Sequence, residues 1–267
     1  MRPEGLSIVI PNWNHRTYLA RSVGSALRAL RCLEAEQVPG EVVVIDDGSR
    51  DGSQKLLRSL ELWQADRLRA LFLPENRGPA AARNEGLEAS EYRYVLFLDA
   101  DNELIPENVG VLVRAIRETG ATFAYGNLID RRGRDVLGLR SNDVASMRLT
   151  RANYIDALAV VNAERVLELG GYMWTADFRG IEDWELVLHL IAEEEEIVFV
   201  PVALAYYHVL PAAVKGAEMS VQPDVVLRRW FASMRRVFAE SGTREWDPAT
   251  VGRVYHPDLG FVDPSWQ

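Results

Sequence analysis

The stretch Tyr94-Val95-Leu96-Phe97-Leu98-Asp99-Ala100-Asp101 places an apolar run directly before a pair of aspartates. A short apolar run that ends at polar residues is typical of a strand buried on both faces of a sheet. Ligands of open α/β sheets bind beyond the carboxyl ends of the strands. Asp99 and Asp101 are therefore candidate functional residues, although Asp101-Asn102 is also ordinary turn sequence.

Three more apolar runs precede this one and alternate with amphipathic segments. The apolar runs are residues 6–11, 41–46 and 68–73, and the amphipathic segments are residues 18–30, 53–65 and 79–89. Asp51 and Ser53 offer N-cap chemistry to the second amphipathic segment. This alternation predicts an α/β fold with a mostly parallel, Rossmann-like sheet flanked by helices.

The composition narrows the class of protein. The chain has 267 residues, 48% of them hydrophobic, and a net charge of −9. The charge argues against a broad nucleic-acid surface, but a divalent cation would let an acidic protein bind a diphosphate. Cys32 is the single cysteine, and neither a signal peptide nor a membrane-spanning run is evident. We expect a cytoplasmic protein.

Two other strand ends are also polar. The first strand ends in Pro11-Asn12-Trp13-Asn14 and the second in Asp46-Asp47-Gly48-Ser49. Either alone fits an ordinary turn. Three polar strand ends at one sheet edge favour a ligand site, and the aspartate pair suits Mg²⁺ or Mn²⁺.

A segment rich in small residues follows the third strand. Residues 76–84 begin a helix at Gly78-Pro79 and carry Arg77 and Arg83. Either arginine could meet a phosphate, or could lie on an ordinary helix surface. The small residues around Arg83 indicate a packed helix face, which favours Arg83.

Together with Gly170-Gly171-Tyr172 and Glu182-Asp183, these motifs resemble those of the family-two inverting glycosyltransferases in order and approximate spacing, over about residues 5–210. The resemblance implies the GT-A fold, a nucleotide-diphosphate sugar donor (a UDP-sugar is expected) and Mn²⁺ or Mg²⁺. The first motif departs in having Trp13 where Tyr is commoner. By analogy with the family, the residues that contact the nucleotide or the donor are Pro11, Asn14, Asp47, Arg83 and Asp99. Asp99 and Asp101 form the DXD motif, with Asp101 on the metal.

The acidic pair Glu182-Asp183 opens a predicted helix. Acidic residues are favoured in a first helical turn whatever the function, so the motif alone is ambiguous. The family pattern implies that Asp183 removes the proton from the acceptor hydroxyl and that Glu182 orients it. The same pattern sets Gly171 and Tyr172 beside the acceptor. Trp184 could stack on a sugar or anchor the helix.

His208 ends the last apolar run before residue 210. The resemblance makes it a second candidate metal ligand, and a structural histidine is the alternative.

The predicted organisation is a glycosyltransferase domain over residues 1–210, with nucleotide-binding residues 1–102 and acceptor and catalytic residues 103–210. A helical extension over residues 211–267 follows. Its basic amphipathic helix, residues 223–241, fits docking on this domain, on a second subunit as a homodimer, or on a membrane surface. The last residues look irregular.

The expected function is metal-assisted transfer of a hexose, with inversion, to the hydroxyl of a saccharide, lipid-linked or small-molecule acceptor. Two rivals remain. A sugar-nucleotidyltransferase would be expected to carry a basic glycine-rich loop after the first strand, and residues 11–14 form none. A non-catalytic binding module would be expected to lack the aspartate pair or the base.

Overall fold

The structure is a computed structural model. It describes residues 1–141, 145, 149, 153–173, 180–210, 253–256 and 260–262. The helices are α1 (Arg16–Ala35), α2 (Ser53–Trp63), α3 (Pro79–Ala89), α4 (Pro106–Thr119), α5 (Ala163–Glu168) and α6 (Glu182–Ala192). The strands are β1 (Leu6–Asn12), β2 (Gly40–Asp46), β3 (Leu68–Phe72), β4 (Tyr94–Phe97), β5 (Glu103–Leu104), β6 (Phe123–Arg132), β7 (Asp135–Arg140), β8 (Ala159–Asn162), β9 (Ile197–His208), β10 (Arg253–His256) and β11 (Gly260–Val262).

One sheet joins all these strands in the order β11-β10-β9-β6-β8-β4-β1-β2-β3, with β5 paired to β9 and β7 to β6. β1 lies between β2 and β4 and is parallel to both, so the carboxyl ends of these strands meet at one edge. β8 is antiparallel to both its neighbours, β4 and β6. The predicted α/β class, with a mostly parallel sheet flanked by helices, is confirmed.

The alternation of side chains along β1 explains the two helical layers. Ile8 and Ile10 are fully buried with apolar residues of α1, α2 and α4. Val9 points to the opposite face and is buried with residues of α3, α5 and α6. Because successive side chains of a strand leave opposite faces, a strand covered on both sides is apolar throughout.

Two local predictions need correction. The N-cap of α2 is Gly52, in the left-handed region, while the carboxylate of Asp51 accepts hydrogen bonds from the backbone and hydroxyl of Ser53. The last residues are not wholly irregular, because β10 runs parallel to β9 and β11 folds back against β10. The predicted basic helix at residues 223–241 lies outside the described residues. No helix in the described part of the chain is long and apolar enough to cross a membrane.

Candidate functional site

The ends of β1 and β2 are tied together by buried polar side chains. Asn12 Nδ2 donates to Asp46 Oδ2 at 2.7 Å and lies 3.2 Å from Ser49 Oγ. Asp46 Oδ1 accepts from the backbone of Ser49 and from Gln54 Nε2. Hydrogen-bond partners compensate for the cost of burying most of these groups, whereas Asn12 Oδ1 has no partner among the described residues. This pair fixes the loops that follow both strands, a role that the sequence prediction did not assign to Asn12 or Asp46.

The loop after β1 presents Pro11, Trp13 and Asn14 at this edge. Asn14 has a positive φ of 57°, which Asn tolerates better than most residues. Its Oδ1 accepts from the backbone of Arg50, and its own N–H donates to Ser49 Oγ. Pro11 is half-buried and Trp13 is 47% exposed, so the Trp13 ring is accessible to a planar ligand.

Asp47 joins the end of β2 to the loop before α3. Its two carboxylate oxygens accept from the backbone N–H groups of Arg77 and Gly78, each at 2.8 Å. Burial raises the pKa of Asp47, while these two hydrogen bonds oppose the rise. The predicted contact of Asp47 with a base would have to use the remaining lone pairs of the same carboxylate.

Arg83 connects the aspartate pair to the acidic start of α6. Its Nη1 donates to Glu182 Oε1 at 2.7 Å, and its Nη2 donates to Asp99 Oδ1 at 3.2 Å. The side chains of Arg83 and Glu182 are only 7% and 8% exposed. Despite burial, the charges of Asp99 and Glu182 hold the pKa of Arg83 above its ordinary value. The structure therefore brings three predicted residues from distant segments into one network.

The segment after the aspartate pair meets the strand that carries His208. β5 pairs antiparallel with β9, with Glu103 opposite Tyr206, so Asp101 lies just before the paired residues of one strand and His208 just after those of the other. Asn102 strengthens the junction, because its Oδ1 accepts from the backbone of His208. Arg21 Nη2 also donates to the carbonyl of Asp101.

The donor set at this junction fits a divalent cation that also binds a diphosphate. His208 Nε2 is buried without a hydrogen-bond partner among the described residues and lies 3.8 Å from Glu103 Oε2. Burial, and next the charge of Arg21, lower the pKa of His208, which favours the neutral imidazole that binds metals. The described residues contain no cluster of three or more His, Cys, Asp or Glu placed for a metal. Mg²⁺ is commonly held by one or two protein carboxylates plus substrate phosphates, so two protein ligands would suffice.

Asp183 lies in the first turn of α6, beside this network. Its Oδ1 accepts from the backbone of Trp184 at 2.7 Å, and its Oδ2 accepts from Asn153 Nδ2 at 3.3 Å. Burial and the charge of Glu182 raise the pKa of Asp183 to about 6, against the opposing charge of Arg83. A carboxylate with a pKa in this range is ionised near neutral pH and is a stronger base than a free aspartate.

Gly171, Tyr172 and Trp184, which are predicted to lie beside the acceptor, are packed against other parts of the protein. A side chain at Gly171 would meet Asn84, whose amide also exchanges two 2.8 Å hydrogen bonds with the backbone of Tyr172. The Tyr172 ring is 1% exposed, and Trp184 is buried with Nε1 bonded to the carbonyl of Leu149. Their contacts with an acceptor stay a prediction. For Trp184 the helix-anchoring alternative fits better.

The sequence prediction missed Asp156, Arg140 and Tyr207. Arg140 stacks over the Tyr207 ring at 3.8 Å and faces Asp156 at 3.8 Å. Asn153, three residues before Asp156, donates to Asp183 Oδ2 at 3.3 Å, and after burial the charges of Asp99 and Asp183 also raise the pKa of Asp156. A lone aspartate in Asn153-Tyr154-Ile155-Asp156 carries no spacing signal that would have identified it.

The chain is similar in sequence to known glycosyltransferases. The model of glycosyl transferase family 2 matches residues 7–162. Succinoglycan biosynthesis protein ExoU of Rhizobium meliloti is 32% identical over 269 residues, which cover 94% of this chain and 74% of that protein. An uncharacterized glycosyltransferase of Haemophilus influenzae is 28% identical over 167 residues, and the match spans 61% of this chain and 64% of that protein.

Among solved structures, S. aureus TarS 1–349 in complex with UDP-GlcNAc superposes with a TM-score of 0.66 at 19% sequence identity. The superposition covers 92% of this chain and 69% of that chain, which confirms the GT-A fold expected from the sequence. With a family model matched over more than half of its length and with this fold, the chain belongs to glycosyl transferase family 2.

Proposed function

We propose that this protein transfers a hexose from a nucleotide-diphosphate sugar to an acceptor hydroxyl by a single, inverting displacement. The observation that carries the proposal is the Arg83 bridge between Asp99 and Glu182. It links the strand end that suits a nucleotide sugar to the helix turn that carries Asp183. The residues that would bind the donor and the residue that would remove the proton are thereby held in a fixed position relative to each other.

In the proposed step, the acceptor oxygen forms a bond to the anomeric carbon while the bond from that carbon to the diphosphate oxygen breaks. Asp183 takes the proton of the acceptor hydroxyl. Its Oδ2 is the better candidate for this role, because the Asn153 contact at 3.3 Å is longer than the Trp184 contact at Oδ1. Glu182 holds Arg83 in place and keeps Asp183 basic through its own charge.

The donor side is assigned to the β1, β2 and β4 ends. Pro11, Asn14 and the exposed Trp13 ring border the nucleotide, Asp47 faces the base, and Arg83 and Asp99 lie near the ribose. A UDP-sugar is the favoured donor, supported by the structural similarity to TarS, which was crystallised with UDP-GlcNAc. The catalytic part spans residues 1–210, divided near residue 102.

Asp101 and His208 would hold Mn²⁺ or Mg²⁺. When bound, the cation would neutralise the charge that develops on the departing diphosphate. Two cationic groups of the chain border this region, since the charges of Arg21 and Arg131 both act on His208. They would add to the attraction for a diphosphate in an otherwise acidic protein.

The acceptor is proposed to be a saccharide, lipid-linked or small-molecule hydroxyl compound. Residues 211–267 would add a surface for this domain, a second copy or a membrane. We propose that the protein acts in the cytoplasm.

Thermal stabilisation and calorimetric binding across UDP, GDP, ADP and their sugars, with and without Mn²⁺ or Mg²⁺, test the donor assignment. We expect stabilisation by one diphosphate that needs the cation in the wild type and is lost in Asp101→Asn. The matched control is Asp135→Asn, which removes an exposed carboxylate from β7. If no nucleotide binds, or if Asp101→Asn binds as the wild type does, the assignment is wrong.

A further inference from the structure

Asp156 lies on the segment that leads into β8, three residues after Asn153, whose Nδ2 donates to Oδ2 of the proposed base Asp183 at 3.3 Å. Its side chain is 12% exposed, and its backbone N–H donates to Ser141 Oγ at 3.0 Å. Oδ1 accepts from the backbone of Leu158 at 3.1 Å. Oδ2 faces Arg140 Nη1 at 3.8 Å, which is longer than a hydrogen bond. One oxygen of Asp156 is thus fixed to the backbone, while the other keeps capacity to accept a hydrogen bond.

The positive charge of Arg140 is shared between Asp156 and a second carboxylate. Its Nε donates to Asp130 Oδ1 at 3.0 Å, and its guanidinium lies over the Tyr207 ring at 3.8 Å. These two contacts hold Arg140 in place from β6 and β9. Asp156 is therefore oriented by a rigid partner whose charge is shared with a second carboxylate.

The surroundings of Asp156 carry an excess of negative charge. Burial raises the pKa of Asp156 to about 7, and the charges of Asp99 and Asp183 add to the rise, while Leu158 and Arg140 oppose it. The nearby Arg83 is already paired with Asp99 and Glu182. Within the described residues, this side of the site is suited to hydroxyl groups and not to anions.

Resting on the proposed function, we propose that Asp156 recognises the acceptor: its Oδ2 binds a second hydroxyl next to the one that Asp183 deprotonates, so the acceptor is a neutral polyhydroxy compound of the saccharide class. A phosphate nucleophile, such as that of a lipid carrier, would instead meet the carboxylates of Asp99, Asp156 and Asp183. Close like charges of this kind disfavour an anionic partner. A lipid-linked saccharide remains compatible with the proposal, since its attacking group is a hydroxyl.

Small alcohols test this without knowledge of the natural acceptor. Wild type, Asp156→Asn and the control Asp135→Asn would each be incubated with UDP-glucose, UDP-galactose or UDP-N-acetylglucosamine and Mn²⁺. Propane-1,2-diol and propan-1-ol, at equal high concentration, are the competing acceptors, and farnesyl phosphate is tested separately. Products are separated by mass spectrometry, and hydrolysis of the donor by water is measured in the same samples.

We expect the wild type and Asp135→Asn to form the diol glycoside in preference to the propanol glycoside by about tenfold or more, the range for a hydrogen bond to a charged group. Asp156→Asn should lose most of this preference, whereas Asp135→Asn should keep it. Equal use of both alcohols, no transfer to the diol, an unchanged preference in Asp156→Asn, or preferred transfer to farnesyl phosphate would overturn the acceptor proposal. The proposed function itself fails in a different way: the wild type would neither transfer nor hydrolyse any donor that it binds.

Discussion

Arg83 Nη1 lies 2.7 Å from Glu182 Oε1, and the two residues are 99 positions apart in the sequence. The pair joins α3 to α6, whose first turn carries the proposed base, and both helices pack on the same face of the sheet. Both side chains are almost completely buried, and Arg83 also reaches Asp99. This buried network therefore joins distant parts of the chain and three of the predicted site residues.

Replacing Arg83 by lysine should destabilise the protein. Lysine keeps the charge but cannot reach Asp99 and Glu182 together through a planar fork. Leaving one buried carboxylate without its partner costs about 3 kcal/mol or more. Urea unfolding measures the change.

Arg77→Lys is the control for Arg83→Lys. Arg77 pairs with Glu85 at 2.9 Å, and both side chains are more than a third exposed. We expect its free energy of unfolding to change by less than about 1 kcal/mol. Equal effects of the two substitutions would show that the Arg83 network does not stabilise the fold.

Protonation of Asp183 should determine the acidic limb of the pH profile of kcat/KM. Its pKa is raised to about 6, so kcat/KM should fall about tenfold per pH unit below that value as the base becomes protonated. Glu182→Gln removes the neighbouring negative charge, which should move the limb to lower pH. Profiles from about pH 5 to about pH 8 measure both effects. A limb that stays in place in Glu182→Gln would contradict the assignment of this titration to Asp183.

Gly171→Ala should destabilise the protein more than Gly170→Ala. Both glycines have positive φ, 71° and 98°, so alanine is strained at either. Only at Gly171 would the new carbon lie 2.5 Å from Asn84 Oδ1, whereas at Gly170 no atom of the described residues lies within 4 Å. We expect a cost of about 1 kcal/mol at Gly170 and at least about 1 kcal/mol more at Gly171. Thermal and urea unfolding of the two variants give the difference, and equal costs would refute the close approach of Asn84.

The Asp156→Asn variant should become more stable than the wild type as the pH rises. The folded pKa of Asp156 is raised from 3.8 to about 7. The contribution of this carboxyl to the free energy of unfolding is fully present below its pKa in the unfolded chain. It is lost as the pH rises through about 7. Asparagine does not titrate, so the variant should gain roughly 1 to 3 kcal/mol over the wild type between about pH 4 and about pH 8.

The free energy of unfolding at both ends of this range checks the Asp156 prediction, with Asp135→Asn as the control that should show no such trend. A gain in stability together with lost acceptor preference would identify Asp156 as a functional residue that costs stability. A constant difference across the range would contradict the raised pKa.

Local pattern predicted the first half of the fold. The apolar runs at residues 6–11 and 41–46 correspond to β1 and β2, and α3 has the predicted bounds. Parallel strands that end together bring their polar ends together, so Asp47 and Asp99 were expected at one edge. The assignment of Asp183 as the base comes from the family resemblance and stays a prediction, because an acidic first turn alone is uninformative.

The remainder depends on long-range pairing that periodicity does not encode. β8 inserts antiparallel between β4 and β6, and this placement carries Asp156 to the site. β7 is an exposed strand, so its sequence lacks the buried run that marks β1. The burial of Tyr172 and the position of Asn84 beside Gly171 follow from the packing of α3 against the segment that follows α5. The sequence alone does not show whether a charged or aromatic residue near a motif contacts the ligand or supports the residues that do.

The most direct test of the account compares wild type with Asp183→Asn, using the nucleotide sugar that binds best in the presence of Mn²⁺. Calorimetry measures donor binding, and proton NMR of the product follows the rate of transfer and the configuration at the anomeric carbon. We predict equal donor affinity for both proteins, transfer with inverted configuration by the wild type, and a rate at least about 100-fold lower in the variant. Near-normal turnover by Asp183→Asn, or a product that retains the donor's configuration, would contradict the proposed single displacement with Asp183 as base.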